Sequence, residues 1–260
     1  MRTLLFTLLA VTACSSNKGT TTGGDDDTGG PDAGSGMPSA ADIQQDYDDI
    51  ASTIGTYLTA SDFAAMNDTV NMAFGVMPAG FIMTTTPAYQ LLDGNRAGLT
   101  IEYKLYCRDA AANNVPCNGA EFEAHVRPQY SGAFSDATTS MDGVQRTAAW
   151  VVKNLTSTPA ITGSGTDTFG SHLTTGDYTL TVTDTVNKVM FATTPAGPIG
   201  GGIDYMLTVD RTRATVDPAE RMYTVTAHVA FNGTDTAIIT LDTTHNYNLT
   251  LSTGVVAKSG

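Results

Sequence analysis

Apolar and polar side chains alternate with a period of two over much of the chain after residue 98, the pattern of strands with one face buried. Leu99, Ile101, Tyr103 and Leu105 face one way, against Thr100, Glu102, Lys104 and Tyr106. Phe122, Ala124 and Val126 do the same against Glu121, Glu123, His125 and Arg127. These two runs predict a long hairpin whose tip is Arg108 to Pro116. Matching their apolar faces sets Leu99 near Val126 and Tyr103 near Phe122, with an irregular residue around Asn118-Gly119. Further strand-like runs cover 144–155, 160–169, 177–183, 187–192, 203–213, 221–231, 235–242 and 245–251. Alternation is clearest in Tyr178, Leu180, Val182 and in Ile203, Tyr205, Leu207, Val209.

A different period precedes them. Ser39 and Asp42 have the spacing of an N-cap with an acidic third helical position. Ile43, Tyr47, Ile50, Ile54, Tyr57 and Leu58 then recur every three or four residues, and Gln44, Gln45, Asp46, Asp48 and Asp49 cover the other side. A second helix is predicted from Ser61-Asp62 through Phe63, Met66, Val70 and Phe74, ending by Gly75 or Pro78. Residues 81–98 fit neither period and read as mostly loop. Asn232-Gly233 reads as a two-residue hairpin turn, Asp217-Pro218-Ala219-Glu220 as a tight turn or one helical turn, and Gly197 to Gly202 as a flexible connection. Sequence-adjacent strands joined by turns imply a mainly β fold: an antiparallel meander, as a curved sheet or sandwich, with one or two N-terminal α-helices packed on it.

Ahead of all this stand Arg2 and an apolar run from Leu4 to Val11, too short to span a bilayer. The small residues before a cysteine in Val11-Thr12-Ala13-Cys14 resemble the lipobox of bacterial lipoproteins. That resemblance implies removal of residues 1–13 as a signal peptide, lipidation of Cys14, and a bacterial outer-membrane anchor, since Ser15 stands where aspartate would favour the inner membrane. The domain would then face the periplasm or the cell surface. Residues 14–38 form an acidic, Gly- and Thr-rich tether with almost nothing to bury. Asp25-Asp26-Asp27 lacks the spacing of a calcium loop. Residues 39–260 are expected to fold as one β-rich domain.

Composition narrows the partners. The net charge is -13, and the 13 basic residues are scattered, which argues against nucleic acid. About one residue in six is threonine, a residue suited to strands. With Cys14 assigned to lipid, Cys107 and Cys117 remain, and an exported compartment favours a disulfide between them. A pair of metal-bound thiolates would need two more ligands at short spacing, and no C-x-x-C or nearby histidine supplies them.

Candidate chemistry is sparse. Glu121, Glu123 and His125 share one face of a predicted strand, with Glu102 and Lys104 on its partner. Carboxylates beside an imidazole can bind a divalent metal or move protons, and equally make the wet face of a hairpin. His172, His228 and His245 stand alone, and no serine lies in a nucleophile motif. The expectation is a non-catalytic envelope module contacting the membrane through its lipid and another protein or a glycan, with no cofactor or metal. The alternative is a carrier of an apolar ligand, lined by Ile43, Tyr47, Tyr103, Phe122, Trp150 and Tyr205. A metal-dependent or acid-base enzyme ranks third.

Overall fold

In the computed structural model, which describes residues 37–136, 138–192, 197–216 and 218–259, thirteen antiparallel strands form a single meandering sheet. They are β1 (Ile82–Thr85), β2 (Gln90–Arg96), β3 (Leu99–Arg108), β4 (Asn114–Val115), β5 (Glu123–Ser135), β6 (Thr139–Lys153), β7 (Ala160–Leu173), β8 (Gly176–Phe191), β9 (Pro198–Thr212), β10 (Glu220–Phe231), β11 (Thr236–Leu241), β12 (His245–Thr250) and β13 (Val256–Lys258). Each pairs with the next in sequence, except that β4 is a spur on β3, so β3 pairs with β5. The expected mainly β meander is thus the fold.

The helix stands in the middle of it. Helix α1 (Ala40–Tyr57) starts at a complete capping box, the Ser39 hydroxyl accepting from the Asp42 amide while the Asp42 carboxylate reaches back to Ser39. It runs without a break through a π turn, Leu58–Asp62, into α2 (Phe63–Ala73). This rod meets nearly every strand. Asp68 takes Arg96 of β2 and Tyr103 of β3, Asp62 takes Tyr130 of β5, Thr53 meets Ser171 of β7, and Asp49 takes Tyr178 of β8. Asp46 takes Arg211 of β9 and Arg221 of β10, and Tyr247 of β12 reaches Asp48. Gly55 gives β13 its place, because a Cβ there would lie 2.4 Å from Val256. One helix can touch so many strands only if the sheet curls around it.

Curling needs local departures from a regular ladder. The register shifts between Gly132 and Phe134, Asp142 and Gln145, Ile161 and Gly163, and Asn187 and Phe191. Bulges of this kind bend a strand and increase its twist. Gly163 shows why glycine is used: its φ is +153° and a Cβ would lie 2.1 Å from the Ala149 carbonyl oxygen.

Several expectations are corrected. Helix residues Asp46 and Asp49 are buried against the sheet rather than covering a solvated side. Residues 81–98 contain the β1–β2 hairpin; β1 is a wholly exposed edge strand, so no burial periodicity marks it. In the β3–β5 pair Leu99 faces Gly132, Tyr103 faces Pro128 and Leu105 faces Val126, six residues from the expected register. The strands are longer than the alternation suggested, and residues after Arg108 fold back as the β4 spur. Phe122 accordingly falls outside β5 and is 56% exposed, beside Lys153. The runs 177–183 and 187–192 are one strand, β8, with Asp184 in phase with its buried residues. Gly200 to Gly202 belong to β9 instead of a loop, and Asn232-Gly233 opens a four-residue connection before Thr236. The Asp217 turn residue, Val11 to Cys14, Ser15 and Asp25 to Asp27 lie outside the described residues.

Candidate functional site

The helix buries charge where its pitch changes. Residues five apart on an α-helix point about 140° away from each other, whereas a π turn, closed by i to i+5 hydrogen bonds, brings them nearly into line. Tyr57 and Asp62 have this spacing across the π turn. Asp62 meets the buried guanidinium of Arg146 on β6 directly, and Tyr57 reaches it through Asp167, which accepts from the Tyr57 hydroxyl and pairs with Arg146.

Arg146 has three acidic neighbours and no solvent exposure on any of the four side chains. Its Nε lies 3.2 Å from Asp62 Oδ1, and its Nη1 lies between Asp167 of β7 and Asp184 of β8, 2.8 Å from the latter. Tyr57 donates to Asp167 and Tyr130 to Asp62, while Tyr205 of β9 reaches Asp62 Oδ2 at 3.4 Å. Neither oxygen of Asp184 receives a hydrogen bond. The indole of Trp150 and the ring of Tyr130 flank the guanidinium at 5.6 and 5.8 Å. Gly165 on β7 leaves room for the cluster, because a Cβ there would lie 2.6 Å from Asp184 Oδ2 and 3.0 Å from Arg146 Nη2.

The electrostatics follow from burial and from three acids meeting one base. Burial raises the Asp62 pKa against the pull of Arg146, and it pushes that of Asp167 up to about 7. Burial also raises the hydroxyls of Tyr57, Tyr130 and Tyr205 well above their usual range, with neighbouring carboxylates adding to the effect. For Arg146, burial alone would favour the neutral form, but Asp62 and the other acidic neighbours outweigh it and hold the charge.

A second buried network lies nearer the helix start. Asp46 meets Arg211 at 3.2 Å, Arg213 at 3.0 Å and Arg221 at 2.8 Å, and Asp49 meets Arg213 at 2.7 Å and the Tyr178 hydroxyl. At the far end, Asp68, Arg96 and Tyr103 form a smaller group.

Neither network was among the sequence candidates, which the structure distributes elsewhere. Glu123 and His125 do meet, Nε2 to Oε1 at 2.7 Å, with Lys153 at 3.3 Å from the other Glu123 oxygen and Tyr106 stacked on the imidazole. The hydrogen bond from His125 is the main influence holding the Glu123 carboxyl below its usual range. Glu121 is off the strand and buried, accepting from the Asn118 amide and lying 3.2 Å from Cys107 Sγ. Glu102 pairs with Lys104 at 3.0 Å, opposite Gln129 and away from Glu123. Cys107 and Cys117 are joined by a disulfide, Cα atoms 5.3 Å apart, so the grouping of both sulfurs with Glu121 offers no free thiolate. His172 sits between Asp177 and Asp142, His228 bonds Asp204, and His245 stacks on Tyr47.

Comparison with known proteins finds no matching family model, no matching curated protein and no matching solved structure. The clefts described are at the surface. One of about 370 Å³ lies beside the helix between Ser52, Thr56, Thr138, Leu173 and Val255, and another of about 280 Å³ is bordered by Met72, Met77, Met83 and Leu92. The buried aspartates and arginines of the interior pair with one another, whereas the buried Tyr223 hydroxyl has no hydrogen-bond partner among the described residues.

Proposed function

We propose that the chain is an exported bacterial lipoprotein, anchored through Cys14 to the outer membrane, whose β domain is a non-catalytic binding module for another envelope protein or a glycan. One observation carries the choice of a module over a carrier. The concave side of the sheet, where a carrier would hold its ligand, is occupied by the helix: Ile50, Ile54, Tyr57, Leu58 and Met66 are buried together with Tyr103, Trp150 and Tyr205. Those three aromatics, plausible as the lining of a hollow interior, pack within the one core cluster. The outward positions are left for contact, and in the middle strands they are largely hydroxyls. Gln145, Thr168, Thr181, Thr208 and Thr224 lie opposite one another across β6 to β10, a row without charge.

Two measurements test the reading. Metabolic labelling with a radioactive fatty acid is expected to mark the full chain and to be lost in Cys14→Ala; label retained in the variant, or absent from both proteins, refutes the anchor. Native mass spectrometry of protein extracted gently from its own host is expected to give the bare or lipid-modified mass. A further reproducible adduct that leaves on denaturation would favour the carrier.

A further inference from the structure

We propose that the three carboxylates around Arg146 hold one shared proton in the folded protein, so that the sheet grips the helix most tightly in mildly acidic surroundings and loosens as that proton leaves. Asp62, Asp167 and Asp184 all lie against a single guanidinium, and none of the four side chains has solvent access. With every carboxyl ionised, the pocket would hold two uncompensated negative charges away from water, a cost that proteins avoid by keeping a proton.

The other groups facing the pocket do not supply the missing positive charge. From the helix comes the Tyr57 hydroxyl, from β5 that of Tyr130 and from β9 that of Tyr205. These are neutral donors. The adjacent helical acid, Asp68, has its own partners in Arg96 and Tyr103. The carboxylate of Asp184 is held by its ion pair with Arg146 at 2.8 Å and accepts no hydrogen bond among the described residues. Because the carboxyls share one guanidinium and act electrostatically on one another, the proton belongs to the group rather than to one residue.

The position of the pocket turns protonation into a mechanical effect. Asp62 sits on the π turn and pairs with Arg146 of β6, which in turn holds Asp167 of β7 and Asp184 of β8. The group therefore joins the helix to the centre of the sheet. Losing the proton adds repulsion across that seam.

The sign of the linkage is definite. The Asp62 and Asp167 carboxyls have folded pKa values raised above the ordinary value, Asp167 to about 7. The folded state then binds more protons than the unfolded chain between about pH 4 and 7, and stability falls as pH rises through that window. Asp42, Asp109, Asp136, Asp242 and Glu123 are shifted the other way, so their contribution is lost as pH falls through their lowered values, below the window. His172 is raised by Asp177 and shares the sign of the pocket near pH 7. Asp68, raised by burial, shares that sign too, and a variant that keeps both His172 and Asp68 isolates the pocket.

The experiment is urea unfolding of the full chain between about pH 5 and 8.5, followed by the fluorescence of Trp150, which lies over the Arg146 guanidinium and is the chain's single tryptophan. Wild type is expected to show an unfolding constant that rises with pH by up to about tenfold per unit and levels off above about pH 7. Asp184→Asn removes one excess charge where no hydrogen bond is broken, and is expected to flatten that rise. An unfolding constant unchanged between pH 5 and 8 in wild type, or an equal rise in Asp184→Asn, overturns the proposal. Should the variant fail to fold, infrared spectra of the wild type decide: the carbonyl stretch of a protonated carboxylic acid is expected at about pH 6 and gone at about pH 9. Its absence at the lower pH overturns the proposal.

Discussion

The same helix enters two buried charge networks, and they are unbalanced in opposite directions. Around the π turn one arginine faces Asp62, Asp167 and Asp184; about 20–24 Å earlier along the rod, by the rise per residue, Asp46 and Asp49 face Arg211, Arg213 and Arg221. The difference lies in what can relieve the surplus. Arg221 is 25% exposed and lies over the Tyr223 ring, while Arg211 also donates to the Pro218 carbonyl. A surplus guanidinium there can spread its charge toward water, an aromatic face and a backbone oxygen. The acid-rich pocket has no exposed member. Its remaining outlet is a proton. Two sets of the same residue types therefore behave differently because one network reaches the surface and the other does not.

The largest effect is expected from Arg146→Met, which keeps an unbranched apolar stem and leaves three carboxyls without a cation. Removing one member of a buried ion cluster costs about 3–5 kcal/mol. At pH 7.5 that cost should appear in full in a urea titration, and it should shrink near pH 5 as the acids take up protons. A loss below about 1 kcal/mol at pH 7.5 would mean that the pocket is not held by its charge. Asp46→Asn is the matching change in the other network. It leaves Arg213 with Asp49 and takes the carboxylate from Arg211 and Arg221, but with the exit through Arg221 the expected loss is smaller, about 2–3 kcal/mol. Should it exceed that of Arg146→Met, the contrast drawn from exposure fails. Tyr57→Phe sharpens the picture within the acid-rich pocket by deleting the hydroxyl that donates to Asp167. Its expected loss is about 1–2 kcal/mol by thermal or urea unfolding. Greater damage at high pH than at low pH would follow, because the ionised carboxylate needs the donor more.

How much of this could be read in the chain differs between the strands and the site. Alternation located the strands well where both partners are regular, as in Tyr178, Leu180 and Val182, which are all buried. It failed at β1, an edge strand with no buried side chain, and over the register of β3 and β5, where the β4 spur takes up residues that a simple hairpin would leave for pairing. The helix was legible through its capping box and apolar stripe. What the stripe could not convey was that the sheet curls far enough to meet the helix's polar side as well, which put Asp46 and Asp49 in the interior. A signal for the site was present but of another kind. Arg146 lies in phase between buried Val144 and Ala148, and Asp184 between buried Val182 and Val186. Asp167 follows inward Gly165, a position where the cluster leaves no room for a side chain. A charged residue at an inward strand position demands a buried partner, and that phase argument, applied to each strand in turn, picks out Arg146, Asp167 and Asp184. It does not pair them, because pairing depends on registers and on a helix fixed in three dimensions.

The smallest effect should come from Arg221→Gln, and it tests the comparison at its weakest point. Asp46 retains contacts to Arg211 and Arg213 when Arg221 is removed, so no carboxylate is left alone. The side chain is already partly in water, where a charge pair contributes about 0–1 kcal/mol and is screened by salt. Loss of the contact over Tyr223 adds about 0.5–1 kcal/mol at an exposed site. Against these losses, the variant brings the network to two acids and two arginines, which relieves repulsion among the cations. The expected net change is within about 1 kcal/mol, and it should become smaller still in 0.5 M salt because the exposed pair is the screened component. A loss of several kcal/mol, unchanged by salt, would show that Arg221 belongs to the sealed interior; the two networks would then differ in sign alone, and access to water would no longer explain why one tolerates a surplus charge.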